Sequence, residues 1–160
     1  FVAHLQFKGN NPAPKFKASK SNLSREQVAL WQEFAQNHLK VNLPGILQTF
    51  GDQLYLLPEL LPDLGKLKIA RNGLHLGTFK KKRFEPSFAL GLALKPSQVE
   101  QSVEIGQEAF VKYASGETVQ LAESLPNGWY QVLVKGNGLG FAKVTGNVLK
   151  NYFPKGLRFK

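Results

Sequence analysis

The chain has 160 residues, a formal net charge of +10 at pH 7 and no cysteine. This length suits one domain or two small ones, and the missing cysteines exclude disulfides, thiolate metal sites and cysteine nucleophiles. No apolar run is long enough to cross a membrane. The positive charge suggests a polyanionic partner, nucleic acid first and an anionic membrane surface second, with a merely soluble basic protein as the alternative. We expect nucleic acid and no membrane partner.

The N-terminal part of the chain is predicted to hold a strand, a linker and a helix. Residues 1–7 (FVAHLQF) are typical of a strand, and residues 8–22, rich in lysine, proline, asparagine and serine, predict a mobile linker. Ser24 followed by Gln27 has the pattern of a capping box, which predicts a helix to about residue 40. Its apolar stripe includes Trp31 and Phe34, which we expect to be core residues.

The middle of the chain is predicted to hold two β-hairpins and a short helix. The predicted strands are residues 46–50, 53–57, 66–70 and 74–79. The first pair flanks a Gly-Asp turn and the second pair flanks an Asn-Gly turn signal. Between the hairpins, Pro58 and Pro62 bracket an irregular or helical turn. Ser87 precedes a short apolar helix over residues 88–94, and the polar residues 95–101 mark the predicted domain boundary.

The last part of the chain is predicted to be a small β module with one helix. Strands are expected at residues 102–105, 118–121, 129–135 and 139–144, and a helix at residues 107–114. Gly116 is expected to end the helix, and residues 136–138 (GNG) to form a hairpin turn. Such a short module has little core of its own, so we expect it to pack on the preceding domain.

A dense cluster of positive charge is the first candidate binding site. Residues 66–83 contain seven basic side chains and no acid, and the densest part is flanked by Phe79 and Phe84. Cations can hold phosphates while aromatic rings between them stack on bases, although either phenylalanine can equally be a core residue. The candidate contacts are Lys80, Lys81, Lys82 and Arg83.

A second basic patch lies near the C-terminus. Its candidate contacts are Lys143, Lys150, Asn151, Tyr152, Lys155 and Arg158. Tyr152 is expected to stack on a base or to hydrogen-bond with it, whereas Phe153 is expected in the core. Gly156 would let the backbone approach a phosphate closely, or would serve a turn.

The sequence carries no positive signal for catalysis. His4, His38 and His75 lack the spacing of metal ligands, and the carboxylates are scattered. The glycine-rich residues 136–140 lie between two predicted strands, so no helix follows to bind a phosphate as in a nucleotide loop. We therefore expect no catalytic, metal-binding or cofactor-binding residue in this chain.

Several segments, taken in order, carry a resemblance to a known family. They are residues 73–77 (GLHLG), 81–87 (KKRFEPS), 113–118 (YASGET), 128–129 (GW) and 149–158 (LKNYFPKGLR). Together they resemble the C-terminal region of the RsmF family, S-adenosylmethionine-dependent methyltransferases that make 5-methylcytosine in 16S ribosomal RNA. Residues 1–3 (FVA) are similar to the last strand of that family's catalytic domain. The chain departs from the family's frequent residues at Phe88, at residues 141–143 and at residues 151–154.

The resemblance implies an α+β fold with two small domains, the second a PUA-like mixed β barrel with one helix. It implies a remnant of the catalytic domain at residues 1–7, a linker at 8–22, a first C-terminal domain at 23–98 and the PUA-like domain at 99–160. The cofactor and the cysteine nucleophile would belong to the catalytic domain. The absence of methionine, even at position 1, is likewise what a fragment would show.

The expected function is therefore that of a non-catalytic, cytoplasmic RNA-binding part of a ribosomal RNA methyltransferase. Its expected partners are small-subunit ribosomal RNA and the catalytic domain of the parent protein, with S-adenosylmethionine bound by the parent. The alternative is a stand-alone module that docks on a ribosomal or enzyme protein.

Overall fold

A computed structural model describes residues 15–18, 20–62 and 73–159, which contain three α-helices and nine strands. The helices are α1 Arg25–His38, α2 Phe88–Ala93 and α3 Gln107–Ser115. The strands are β1 Phe16–Ala18, β2 Ile46–Phe50, β3 Gln53–Leu57, β4 Leu60–Pro62, β5 Leu74–Lys80, β6 Arg83–Pro86, β7 Ser102–Glu104, β8 Val119–Val134 and β9 Asn137–Lys150. Short 3-10 turns occur at Pro96–Gln98 and Lys155–Leu157. The mixture of helices and largely antiparallel sheets agrees with the expected α+β class.

Helix α1 begins where the sequence predicted. The backbone N–H of Gln27 donates to Ser24 Oγ at 3.2 Å, and the backbone N–H of Ser24 donates to Gln27 Oε1 at 2.9 Å. This reciprocal pair satisfies backbone donors that have no partner inside the helix. The helix ends at His38, close to the predicted end.

The described residues form two units, each with its own core. The first unit, which contains α1 and α2, has a four-stranded antiparallel sheet in the order β2-β3-β5-β6. The β2–β3 hairpin and its turn at Gly51 and Asp52 are as predicted. The predicted partner strand at residues 66–70 lies outside the described residues. Strand β5 pairs instead with β3 on one side and β6 on the other. As a result, Lys81 and Lys82 form the turn of a β5–β6 hairpin, rather than the loop that follows a hairpin.

Two predictions of irregular structure are wrong. Phe16–Ala18, inside the predicted linker, forms an antiparallel pair with Leu60–Pro62, which was expected to be an irregular or helical turn. The pairing joins segments that are far apart in sequence, and proline is tolerated at the end of such a short strand. The strand predicted at residues 1–7 lies outside the described residues.

The core of the first unit is rich in aromatic rings. Trp31 and Phe34 are buried as predicted, and both pack on Phe84 with ring centroids 5.3 Å and 5.1 Å apart. Phe79 also packs on Phe84, and these two rings are only 6% and 5% exposed. Neither ring can therefore stack on a base, which corrects that part of the binding hypothesis.

The second unit is a three-stranded sheet, β7-β8-β9, with α3 beside it. Gly116 ends α3 in the left-handed conformation, with φ +92°, as predicted. Strands β8 and β9 are far longer than predicted, and register shifts interrupt their pairing. Their turn is at Lys135 and Gly136, one residue early, with both φ values positive as in a type I′ turn. The described strands do not close into a barrel, so the barrel stays a prediction.

The two units pack against each other, as expected from the small size of the second. The second unit nevertheless has its own cluster of eight buried residues, including Tyr113 and Val132, so the expectation of little core was wrong. The fully buried Gln131 of β8 donates to the carbonyls of Gly91 and Leu94 in and after α2, at 2.8 Å and 2.7 Å. The predicted connector at residues 95–101 thus runs beside a packed interface.

Candidate nucleic-acid interface

The tip of the β5–β6 hairpin concentrates four cations. Lys80 pairs directly with Arg83, and Lys81 and Lys82 form the turn between them; all four side chains are exposed. Like charges opposite each other weaken a β pair. Lys82 also has φ +56°, a conformation that costs energy for any residue with a side chain. The like-charge pair and the positive φ of Lys82 both destabilise the hairpin tip. Local features that cost stability in this way are typical of binding sites.

Arg83 is held in place by Glu85, two residues along β6. Its Nε and Nη2 atoms both lie 3.0 Å from Glu85 Oε1. Glu85 is partly buried, but the Arg83 side chain is 61% exposed to solvent, so the contribution of the pair to stability is at most about 1 kcal/mol. Its main effect is to orient the guanidinium, while Glu85 Oε2 has no hydrogen-bond partner among the described residues.

An aromatic pair lies close to this hairpin. Trp129 of β8 and Tyr152, which follows β9, have ring centroids 4.7 Å apart at an interplanar angle of 63°. Both side chains are half-buried. Burial raises the pKa of Tyr152, and the nearby negative charge of Glu85 raises it further while Arg83 partly opposes this. The hydroxyl therefore stays protonated at neutral pH and can donate a hydrogen bond.

A small hollow lies between two of the cations and Trp129. Lys82, Arg83 and Trp129 line this space of about 160 Å³ together with the end of α1. Here burial lowers the pKa of His38, so its ring is neutral at pH 7 and adds no charge. Lys143 is exposed and lies directly opposite Trp129 in the β8–β9 register. We call the following set the aromatic–basic surface: Lys80, Lys81, Lys82, Arg83, Trp129, Lys143 and Tyr152.

The aromatic–basic surface unites parts of the two patches that the sequence predicted separately. Asn151 is not a free member, because its amide binds inside the protein. Its Nδ2 donates to the carbonyls of Tyr113 and Glu117, and its Oδ1 accepts from the N–H of Phe153 at 2.7 Å. These bonds fasten the C-terminal segment to the end of α3, so the structure favours a structural role for Asn151.

Arg158 also has a structural environment. Its Nε and Nη2 atoms lie 3.4 Å from the carbonyl of Phe153, and its side chain lies against Gly116 at the end of α3. A cation at a helix C-terminus is favourable in itself. Lys150 and Lys155 are exposed, and neither lines the hollow that Lys82, Arg83 and Trp129 share. Their role in RNA binding stays a prediction.

Sequence reasoning missed Trp129 as a site residue. A lone tryptophan in a predicted strand is usually a core residue, and here one part of it does pack against the first core. The position of Trp129 opposite Lys143 depends on a register shift between Val132 and Leu133. No turn signal in the sequence predicts this shift. The Gly-Trp segment at residues 128–129 was the one hint, as part of the family resemblance.

Comparison with known families identifies both units. The family model of the RsmF rRNA methyltransferase first C-terminal domain matches residues 33–94, and that of the methyltransferase RsmF PUA domain matches residues 100–159. The chain belongs to the RsmF family. It corresponds to the C-terminal region of that family, as the sequence resemblance implied.

Curated relatives with the name ribosomal RNA small subunit methyltransferase F agree with the RsmF assignment. The protein of Shewanella loihica is 31% identical over 74% of this chain and 24% of its own length. The protein of Shewanella oneidensis is 30% identical over 84% of this chain, and that of Shewanella halifaxensis is 30% identical over 91%. The chain spans about a quarter to a third of the length of the relatives it matches.

The aromatic–basic surface draws on both RsmF domains. Lys80–Arg83 lies within the first matched range, whereas Trp129, Lys143 and Tyr152 lie within the second. Among residues 15–18, 20–62 and 73–159, no group of acidic or histidine side chains could hold a metal ion. Over the same residues, no helix is long and apolar enough to span a membrane.

Proposed function

We propose that this chain is the RNA-binding C-terminal part of a ribosomal RNA methyltransferase. It positions small-subunit ribosomal RNA for a catalytic domain of the parent protein. The observation that carries the proposal is the aromatic–basic surface, where four clustered cations lie beside a half-buried aromatic pair at the junction of two RsmF domains. The names of the relatives support small-subunit ribosomal RNA as the substrate.

The proposed mechanism is positioning. Lysine and arginine contacts to phosphates fix the register of the RNA, and Trp129 and Tyr152 offer ring surface to unpaired bases. The chemistry, including S-adenosylmethionine binding, belongs to the parent's catalytic domain, which fits the absence of a cysteine nucleophile here. The protein would act where ribosomes assemble, in the cytoplasm.

Charge reversal at the hairpin turn tests this proposal. The Lys81→Glu/Lys82→Glu variant should bind small-subunit ribosomal RNA roughly tenfold or more weakly at low salt, because phosphate contacts are replaced by repulsion. The slope of log affinity against log salt should also fall by about 1 to 2. Lys95→Glu/Lys112→Glu makes the same charge change at exposed positions outside the surface and should have a smaller effect. Equal losses of RNA affinity in the two variants would show that binding depends on the net charge of the protein and not on this surface.

Replacement of Lys82 by glycine should weaken RNA binding without lowering the stability of the fold. Lys82→Gly relieves the cost of φ +56°, so the free energy of unfolding should stay level or rise by up to about 1 kcal/mol. RNA affinity should fall because a phosphate-binding cation is lost. Lys135→Gly is the matched control at φ +50° in the β8–β9 turn: it should stabilise similarly and leave RNA affinity unchanged. Denaturant unfolding and RNA titration of both variants measure these effects.

The chain alone should not methylate RNA. Incubation with labelled S-adenosylmethionine and small-subunit ribosomal RNA should transfer no label, because the sequence contains no cysteine to attack the cytosine ring. The positive control is a full-length relative assayed under the same conditions. Label transferred by this chain would overturn the assignment of chemistry to another domain.

A further inference from the structure

A second, larger hollow lies beside Tyr152. It has a volume of about 620 Å³ and lies between the β5–β6 hairpin, the start of α2 and the segment after β9. Its walls combine apolar surface with a few polar groups. The lining includes Thr78, Glu85, Phe88, Tyr152, Pro154 and Leu157.

Most of the polar groups in this hollow are already engaged. Thr78 Oγ1 donates to Gln53 Oε1 at 2.9 Å, and Ser87 Oγ donates to the carbonyl of His75 while it caps α2. Two groups differ from these. Glu85 Oε2 and the hydroxyl of Tyr152 make no hydrogen bond with the described part of the chain. The side chain of Glu85 is only 20% exposed, so its carboxylate faces the hollow in a restricted orientation.

A carboxylate is an unexpected group on a surface that binds phosphates, because it repels them. A phosphate therefore does not fit beside Glu85. The apolar wall formed by Phe88 and Pro154 offers a phosphate no hydrogen-bond donor either. A nucleobase fits both features. Its flat ring contacts the apolar wall and Tyr152, while an amino group on its edge donates to the carboxylate oxygen.

We propose that this hollow binds one unpaired base of the RNA, and that Glu85 selects a base with an exocyclic amino group over uracil. Adenine, cytosine and guanine can each donate such an N–H to Glu85 Oε2. Uracil presents carbonyl oxygens on both sides of its single N–H, and these are repelled by the carboxylate. The inference rests on the proposed RNA-binding function and adds to it a base preference read by one named side chain.

Short unstructured oligonucleotides test the inference with the whole chain. One contains uridine alone, and the others carry a single central adenosine, cytidine or guanosine. The wild-type chain should bind the three amino-bearing oligonucleotides about tenfold more tightly than oligouridine, which is the effect expected of one hydrogen bond to a charged group. Glu85→Gln should remove the preference, because an amide can donate to a uracil carbonyl as well as accept. Glu123→Gln makes the same charge change at an exposed position outside the hollow and should keep the preference.

A change in the RNA provides a test that does not depend on the folding of a variant. Purine riboside in place of the central adenosine lacks the amino group and should bind more weakly than the adenosine oligonucleotide. Equal affinity of the wild-type chain for all oligonucleotides, or a preference that survives Glu85→Gln, would overturn the inference. The proposed function would still stand in that case if Lys81→Glu/Lys82→Glu weakened binding. Loss of all RNA binding by the wild-type chain would overturn both.

Discussion

Replacement of Gly91 by alanine should destabilise the protein by about 2–3 kcal/mol, even though alanine favours a helix by about 1 kcal/mol. A Cβ atom on Gly91 would lie 2.3 Å from the Cα of Gly140 in β9, and a backbone atom cannot move aside as a flexible side chain can. Helix α2 would have to separate from β9. That movement would also stretch the hydrogen bonds that Gln131 donates to the carbonyls of Gly91 and Leu94.

Urea unfolding measures this effect, with Gly156→Ala as the control because a Cβ atom there meets no atom within 4 Å. The interface between the two units also sets the distance from Arg83 to Trp129. We therefore expect Gly91→Ala to weaken RNA binding under conditions where the variant is still folded. Wild-type stability of Gly91→Ala would show that α2 and β9 are not in the close contact described here.

Replacement of Trp129 by alanine should weaken RNA binding by the largest factor of any single change at the surface. A base stacked on an aromatic ring contributes about 1–3 kcal/mol, which corresponds to roughly fivefold to more than a hundredfold in affinity. Trp129→Phe keeps a ring and should retain much of the binding. Phe159→Ala removes an aromatic side chain that is 54% exposed outside the surface and should have little effect on affinity.

Tryptophan fluorescence offers a direct readout of the same contact. The chain has two tryptophans, and Trp31 is only 7% exposed in the first core. RNA that stacks on Trp129 should quench the emission of that residue, and Trp129→Phe should abolish most of the change. Quenching that persists in Trp129→Phe would place the RNA elsewhere.

Much of the fold was predictable where the signals are local. The capping box at Ser24, the β2–β3 hairpin and the glycine at the end of α3 each depend on residues a few positions apart. The β1–β4 pair was missed because its strands lie more than forty residues apart and neither shows a clear alternation. The length of β8 and β9 was missed because register shifts interrupt the apolar pattern.

The candidate site shows the same division between local and tertiary information. The cations at residues 80–83 could be found from composition alone. The burial of Phe79 and Phe84 could not, because two phenylalanines beside four cations fit a stacking site and a core equally well. Asn151 resembles a surface contact in sequence, and only the folded chain shows its amide bonded to the end of α3. Likewise, nothing in the sequence places Tyr152 beside Trp129.

Ultraviolet cross-linking of the chain to small-subunit ribosomal RNA, followed by mass spectrometry of the cross-linked peptides, tests the central claim most directly. The aromatic–basic surface predicts cross-links at Trp129 and Tyr152, with Lys81 and Lys82 in the next most frequent peptides. Phe16, Phe50 and Phe159 are each more than half exposed outside this surface and serve as internal controls. Cross-links concentrated at those phenylalanines, with none at Trp129 or Tyr152, would contradict the proposed RNA-binding surface.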